Sequence, residues 1–188
     1  MNDFGSKLKN PVRVNELAPS ETLKRIGLGS NDVFCDIGAG VGVFTIPAAM
    51  ITKNIVYAMD INNDSLETIK SIAEKEKLEN VKVLLIEKYP YGIENGSIDK
   101  ALLCTVFHEI ENKDSLFSEI KRIIKKDGRL VVIEFHKRET PMGPPVIQRV
   151  SKEEVMIYST KNGFKAVEDF MLGDNFYCIV FQKTSNKS

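Results

Sequence analysis

Between Val33 and Gly42 the chain reads VFCDIGAGVG, a short apolar strand that breaks at Asp36 into three glycines. An apolar, helix-like stretch from Val43 to Ile51 follows. A strand that turns at once into a helix is the opening unit of an α/β sheet. Glycines at 38, 40 and 42 permit backbone angles closed to other residues and let a ligand approach without meeting a Cβ. A phosphate cradle would present bare N–H groups and a lysine. Here the Asp36 carboxylate stands two residues before the first glycine, an arrangement that suits a ligand carrying positive charge.

The rest of the chain repeats the strand–helix rhythm. Pro19-Ser20-Glu21 starts a short helix, with Ser20 as its cap, Leu23 and Ile26 inward, and Gly27 as its stop. The near-continuous apolar run 55–59 ends in Asp60, as in a strand covered on both faces. Asp64 to Glu67 has capping-box spacing, and Leu66, Ile69, Ile72 and Ala73 form the apolar stripe of the helix behind it. Strands follow at 81–86 and 98–106, then a helix over 113–126 closed by Gly128, and a strand at 130–133. Residues 136–150 carry Pro141, Pro144 and Pro145 and read as a structured loop. A second capping box, Ser151 to Glu154, opens a helix ending near Gly163. Strands at 164–171 and 176–182, joined by Gly173-Asp174-Asn175, close the chain as a hairpin.

Five rounds of alternation and a final hairpin predict a doubly wound α/β fold: a mainly parallel, seven-stranded, Rossmann-like sheet ending in antiparallel strands. At 188 residues and 43% hydrophobic content, one domain over 1–188 is expected, with residues 1–30 extending over the site and 184–188 a frayed tail. Twenty-six basic residues balance twenty-six acidic ones, which disfavours a nucleic-acid partner. Cys35, Cys104 and Cys178 lack zinc-site spacing, and no metal is expected. With no signal-like start and no membrane-length apolar run, the expected location is cytoplasmic.

Ligands of such sheets bind beyond the carboxyl ends of the strands. The residues there are Asp36 with its glycine loop, Asp60, Glu87 with Lys88, Cys104 with Thr105, Phe107 and His108, and finally Glu134 and His136. Asp60 lies where an acid can take two hydrogen bonds from a ribose diol. A nicotinamide or flavin dinucleotide would require Gly-x-Gly-x-x-Gly, but Val43 occupies the last glycine position, and Asp36 would repel a pyrophosphate. S-adenosylmethionine, a nucleoside bearing an ammonium and a sulfonium, satisfies both acids.

The pattern resembles the class I S-adenosylmethionine-dependent methyltransferases over nearly the whole chain. Its nearest look is to small bacterial relatives of the ubiquinone/menaquinone-biosynthesis C-methyltransferases. The resemblance implies that Asp36, Gly38, Ala39, Gly40 and Gly42 hold the methionine part of the cofactor. It also implies that Asp60 binds the ribose, that Ile61 packs on the adenine, and that Glu87 and Lys88 lie by the adenine amino group. Glu87 is longer than the aspartate usual there. Backbone groups of Cys104 and Thr105 would meet the cofactor's amino group, and the segment from Val106 to Ile110 would border the acceptor.

His108 and His136, the only histidines, are the candidate catalytic residues, each able as a neutral ring to accept a proton from the attacking atom. The expected function is methyl transfer to a small-molecule acceptor by a monomer or homodimer. The alternatives are a non-catalytic S-adenosylmethionine-binding regulator and an RNA-directed methyltransferase.

Overall fold

The computed structural model describes residues 10–86 and 88–184. The chain forms two compact units, residues 1–91 and 92–188. In the first unit Asn10 opens helix α1 (Pro11–Leu17), its side chain accepting the Val12 N–H at 2.9 Å. This helix is absent from the sequence reading. Ala18, at φ 40°, joins it to α2 (Pro19–Arg25). Ser20 therefore does not cap α2. Pro19, with its fixed φ, is already the first helical residue, and the capping position falls to Ala18 with no side-chain bond. Leu17, Leu23 and Ile26 are buried.

Strand β1 (Phe34–Ile37) is buried throughout and leads through the glycine loop into α3 (Thr45–Ile51). Strand β2 (Val56–Asp60), helix α4 (Asn63–Lys75) and strand β3 (Val81–Leu85) complete the unit. Its strands pair in parallel in the order β3-β2-β1, with Phe34 beside Val56 and Val56 beside Val81. Helix α4 starts two residues earlier than its capping-box spacing suggests, because Asn62 takes the Ser65 N–H at 3.0 Å. Leu66 and Ile69 then pack with Ala39 and Ala58, tying α4 to the glycine loop and to β2. Cys35 is a buried hydrophobe with its sulfur 3.2 Å from that of Met59.

The second unit holds β4 (Ile98–Cys104), α5 (Lys113–Ile123), β5 (Ile124–Phe135), α6 (Lys152–Lys161), β6 (Phe164–Leu172) and β7 (Phe176–Lys183). The order is β4-β5-β7-β6, with β4 and β5 parallel and β5-β7 and β7-β6 antiparallel. Helix α5 ends at Ile123 rather than at Gly128, and β5 begins at once with Ile124 beside Ile98. Gly128 lies within the stretch of that strand where the register against β4 shifts, between the Ile98–Ile124 and Lys100–Arg129 pairs. A Cβ there would stand 2.9 Å from the Ile98 carbonyl and 3.0 Å from that of Asp99. Close backbone approach, not a helix stop, is what the glycine serves. The Ser151–Glu154 capping box forms in both directions.

The seven strands thus pair mainly in parallel and finish in an antiparallel hairpin, the fold class expected from the alternation. Among the described residues no helix is long and apolar enough to cross a membrane.

Candidate functional site

The first unit contributes the glycine loop and the β2 acid. Gly38, Gly40 and Gly42 all adopt left-handed angles, with φ of 74°, 53° and 84°. At Gly42 space is short as well, since a Cβ would come 3.0 Å from the Ile69 side chain on α4. The N–H groups of Gly38 and Ala39 donate to the Met59 carbonyl at 2.7 and 2.9 Å. The Gly40 N–H donates to Oδ2 of Asp60 at 2.7 Å. These amides are consumed inside the protein, so the loop is not an anion cradle of the dinucleotide kind.

Asp60 is aimed by the same bonds. One carboxylate oxygen takes the Gly40 N–H and the other takes the Asn62 N–H at 2.9 Å. Each oxygen retains a lone pair, and the carboxylate keeps a fixed plane at the end of β2. Ile61 beside it is 80% exposed. Lys88 is exposed, and Glu87 lies outside the described residues.

Asp36 differs from the expectation of a carboxylate facing its ligand. It is 2% exposed, and its Oδ2 accepts the Thr45 hydroxyl at 2.7 Å. Thr45, in the first turn of α3, was not singled out in the sequence. Burial pushes the Asp36 carboxyl up to about 7, against the pull of the Thr45 hydrogen bonds and with the Asp60 charge adding to the rise. A buried acid of this kind regains its charge when a cation is placed close by.

In the second unit the candidate residues stand at the ends of β4 and β5. Cys104 is half-buried at the last position of β4. Thr105 follows at φ 56°, an unusual angle for a β-branched residue, held by its N–H to the Ile133 carbonyl at 2.7 Å. A single 3-10 turn, Phe107–Glu109, then presents His108. Its main-chain N–H donates to Oε1 of Glu134 at 3.2 Å, and its ring Nδ1 lies 3.0 and 2.9 Å from the two oxygens of that carboxylate. The Glu134 side chain is 1% exposed and that of His108 8%. Burial acts to lower the proton affinity of His108. The hydrogen bond and charge of Glu134, helped by Glu109 and opposed by Lys113, carry it above the usual histidine range.

Glu134 is thus a site residue that reading the strand ends singly did not assign. The signal was its place near the tip of β5, next in the sheet to β4, where Cys104 stands beside Ile133.

His136 is built differently. Its ring is tilted against Tyr177 at 5.6 Å and bonded to the backbone of Phe176. Burial, with Arg138 and Lys152 adding, holds it below the usual range, and its Nε2 is buried without a hydrogen-bond partner among the described residues. Arg149, 4% exposed, shapes the loop over 136–150. Its guanidinium donates to the carbonyls of His136, Arg138, Met142 and Pro144 and to the Thr140 hydroxyl, and it sits 5.2 Å over the Phe135 ring.

Comparison with known proteins agrees with this architecture. Residues 28–181 match the family model described as a methyltransferase domain. The chain is 28% identical over 141 residues to the probable cobalt-precorrin-6B C(15)-methyltransferase (decarboxylating) of Methanosarcina acetivorans, covering 74% of this chain and 73% of that protein. It is 30% identical over 108 residues to the ubiquinone/menaquinone biosynthesis C-methyltransferase UbiE of Campylobacter jejuni, covering 57% of this chain and 45% of that one. A SAM-dependent methyltransferase from Aquifex aeolicus shares the fold at a TM-score of 0.90 and 24% identity, over 96% of this chain and 97% of the other.

Proposed function

This chain belongs to the S-adenosylmethionine-dependent methyltransferase family, and from that premise we propose that it methylates a small molecule through the residues at its strand ends. The cofactor supplies an electrophilic methyl group on a sulfonium, already activated as a leaving group. The chain's own residues bind, orient and exclude water, which carries much of the rate in such a displacement.

The observation that carries this reading is the Asp60 carboxylate, fixed by the Gly40 and Asn62 N–H groups with a lone pair free on each oxygen for a ribose diol. In this reading Ile61, exposed beside it, covers the adenine. Lys88, exposed, lies by the adenine amino group. The left-handed turns at Gly38, Gly40 and Gly42 let the methionine part lie close over Ala39. Asp36 supports the cation from beneath the loop, and the backbone of Cys104 and Thr105 meets the cofactor's amino group.

Balanced charge favours a small molecule over RNA, and the precorrin and quinone methyltransferases named above act on small molecules. His108, not the neutral and packed His136, is the side chain placed to handle a proton. The setting for these roles is the cytoplasm.

Calorimetric titration with S-adenosylmethionine tests the reading. Saturable binding is expected, and Asp60→Ala is expected to weaken it at least tenfold with the circular dichroism spectrum unchanged. Unaltered affinity in the folded variant would remove Asp60 from the site.

A further inference from the structure

We infer that His108 and Glu134 form a proton-accepting pair, and that the acceptor it serves carries an ionisable hydroxyl of phenol or enol type. The inference rests on the methyl-transfer reading above. A nearly wholly buried carboxylate is an expensive thing to place at a strand end, and packing alone does not require one. Among the described residues the hydrogen bonds of the Glu134 carboxylate all go to one residue, His108, through both its main-chain N–H and its ring. The double attachment prevents the ring from turning. With the carboxylate ionised, Nδ1 carries the proton and donates it, which leaves Nε2 as the basic nitrogen.

That Nε2 has no hydrogen-bonding partner among the described residues. The nearest charged oxygen, Oε1 of Glu109, is 3.8 Å away on a side chain that is 60% exposed. Lys113, the other charge acting on the ring, has its ammonium over Phe107 at 5.3 Å and donates to the Ile110 carbonyl. Glu134 stands next to the last residue of β5 and His108 just beyond the end of the parallel neighbour β4, so the pair lies at the carboxyl ends of two adjacent parallel strands, where α/β sheets bind their ligands.

The chemistry of the pair selects the acceptor. A neutral amine already offers its lone pair, and a thiol ionises at about 8.5, so neither needs a buried base to attack. A phenol ionises at about 10 and is nearly all neutral at physiological pH, yet lies within reach of an imidazole. As the acceptor attacks, its O–H proton passes to Nε2 of His108 and a bond forms from the acceptor to the methyl carbon. The electron pair of the broken carbon–sulfur bond stays on sulfur, leaving a neutral thioether. The new imidazolium is held against Glu134 by its Nδ1–H. His108 is the catalytic residue in this scheme and Glu134 the positioning residue.

The test uses the full chain loaded with S-adenosylhomocysteine and two readouts. Nitrogen-15 NMR of the histidines should show His108 protonated on Nδ1 when neutral, titrating at Nε2. Glu134→Gln should lower its proton affinity at least tenfold. 4-Nitrophenol, whose phenolate is coloured, should bind as the phenolate beside protonated His108 and lose that colour shift in His108→Asn. A His108 that keeps its proton affinity in Glu134→Gln overturns the inference. So does a wild type that binds no phenolate, or a His108→Asn variant that binds it equally well. The tautomer and titration in the wild type need no variant and stand if one misfolds. Failure of these signals with S-adenosylhomocysteine still bound refutes the pair alone, whereas failure of the chain to bind S-adenosylhomocysteine or S-adenosylmethionine refutes the underlying reading.

Discussion

Asp36 and Asp60 carry the same side chain yet do different work, because one is buried and the other half-buried at a strand end. Burial raises the Asp36 carboxyl from 3.8 to about 7, so the folded state holds its proton more tightly than the unfolded chain. Its contribution to stability is therefore fully present below pH 3.8 and lost as pH rises towards 7. A loss of stability across that window is expected in urea titrations of the wild type and should be shallower in Asp36→Asn. In the proposed reading a bound sulfonium and ammonium draw the proton off. S-adenosylmethionine binding at pH 7 is therefore expected to release protons, read as a difference in calorimetric enthalpy between buffers of unlike ionisation enthalpy. Equal enthalpies would show that Asp36 does not change its charge when the cofactor binds. Asp36 and Asp60 were legible in the sequence because an acid after a buried strand is itself a signal. Glu134 was not assigned, since its meaning comes from a histidine 26 residues away.

At the scale of elements, strands and helices followed the hydrophobic period closely, while their ends followed local hydrogen bonds that the period does not contain. Asn62 captures the start of α4, and Ala18 stands where Ser20 was expected to cap α2. The Ser151 box forms as its spacing implied. Gly128 shows why an end can be misread: a glycine after an apolar helix face resembles a stop, yet here the backbone of β4 leaves no room for a side chain. Gly128→Ala is expected to destabilise the fold by about 1–3 kcal/mol through forced displacement of that backbone, measured as a lower denaturation midpoint. Stability equal to the wild type would mean that the bulge at Ile98–Lys100 yields freely. The loop over 136–150 reads as irregular from its prolines, but it is ordered around Arg149, whose donors collect five oxygens.

For the whole molecule, family membership gives a thermodynamic expectation. A ligand that binds only the folded chain adds about 2.7 kcal/mol at a hundredfold excess over its Kd, a rise of roughly 5–11 °C in Tm for a protein near this size. Thermal melts with S-adenosylmethionine should show that rise, and melts with oxidised nicotinamide dinucleotide should not. With equal numbers of acidic and basic residues, the chain is expected to show no salt-dependent retention of RNA in filter binding at low ionic strength. Tight, salt-sensitive retention would instead point to an RNA acceptor.

The sequence by itself determined the alternation of strands and helices, the closing hairpin, the glycine loop and the acid at the end of β2. These rest on local rules: side-chain period, glycine's backbone freedom and the short reach of a strand end. Tertiary structure alone decided which partners the strand-end groups acquire. It buried Asp36 against Thr45, joined Glu134 to His108, and left His136 packed against Tyr177. Burial and hydrogen-bond partners set a group's charge, and both arise from residues that the chain brings together only when its strands pair.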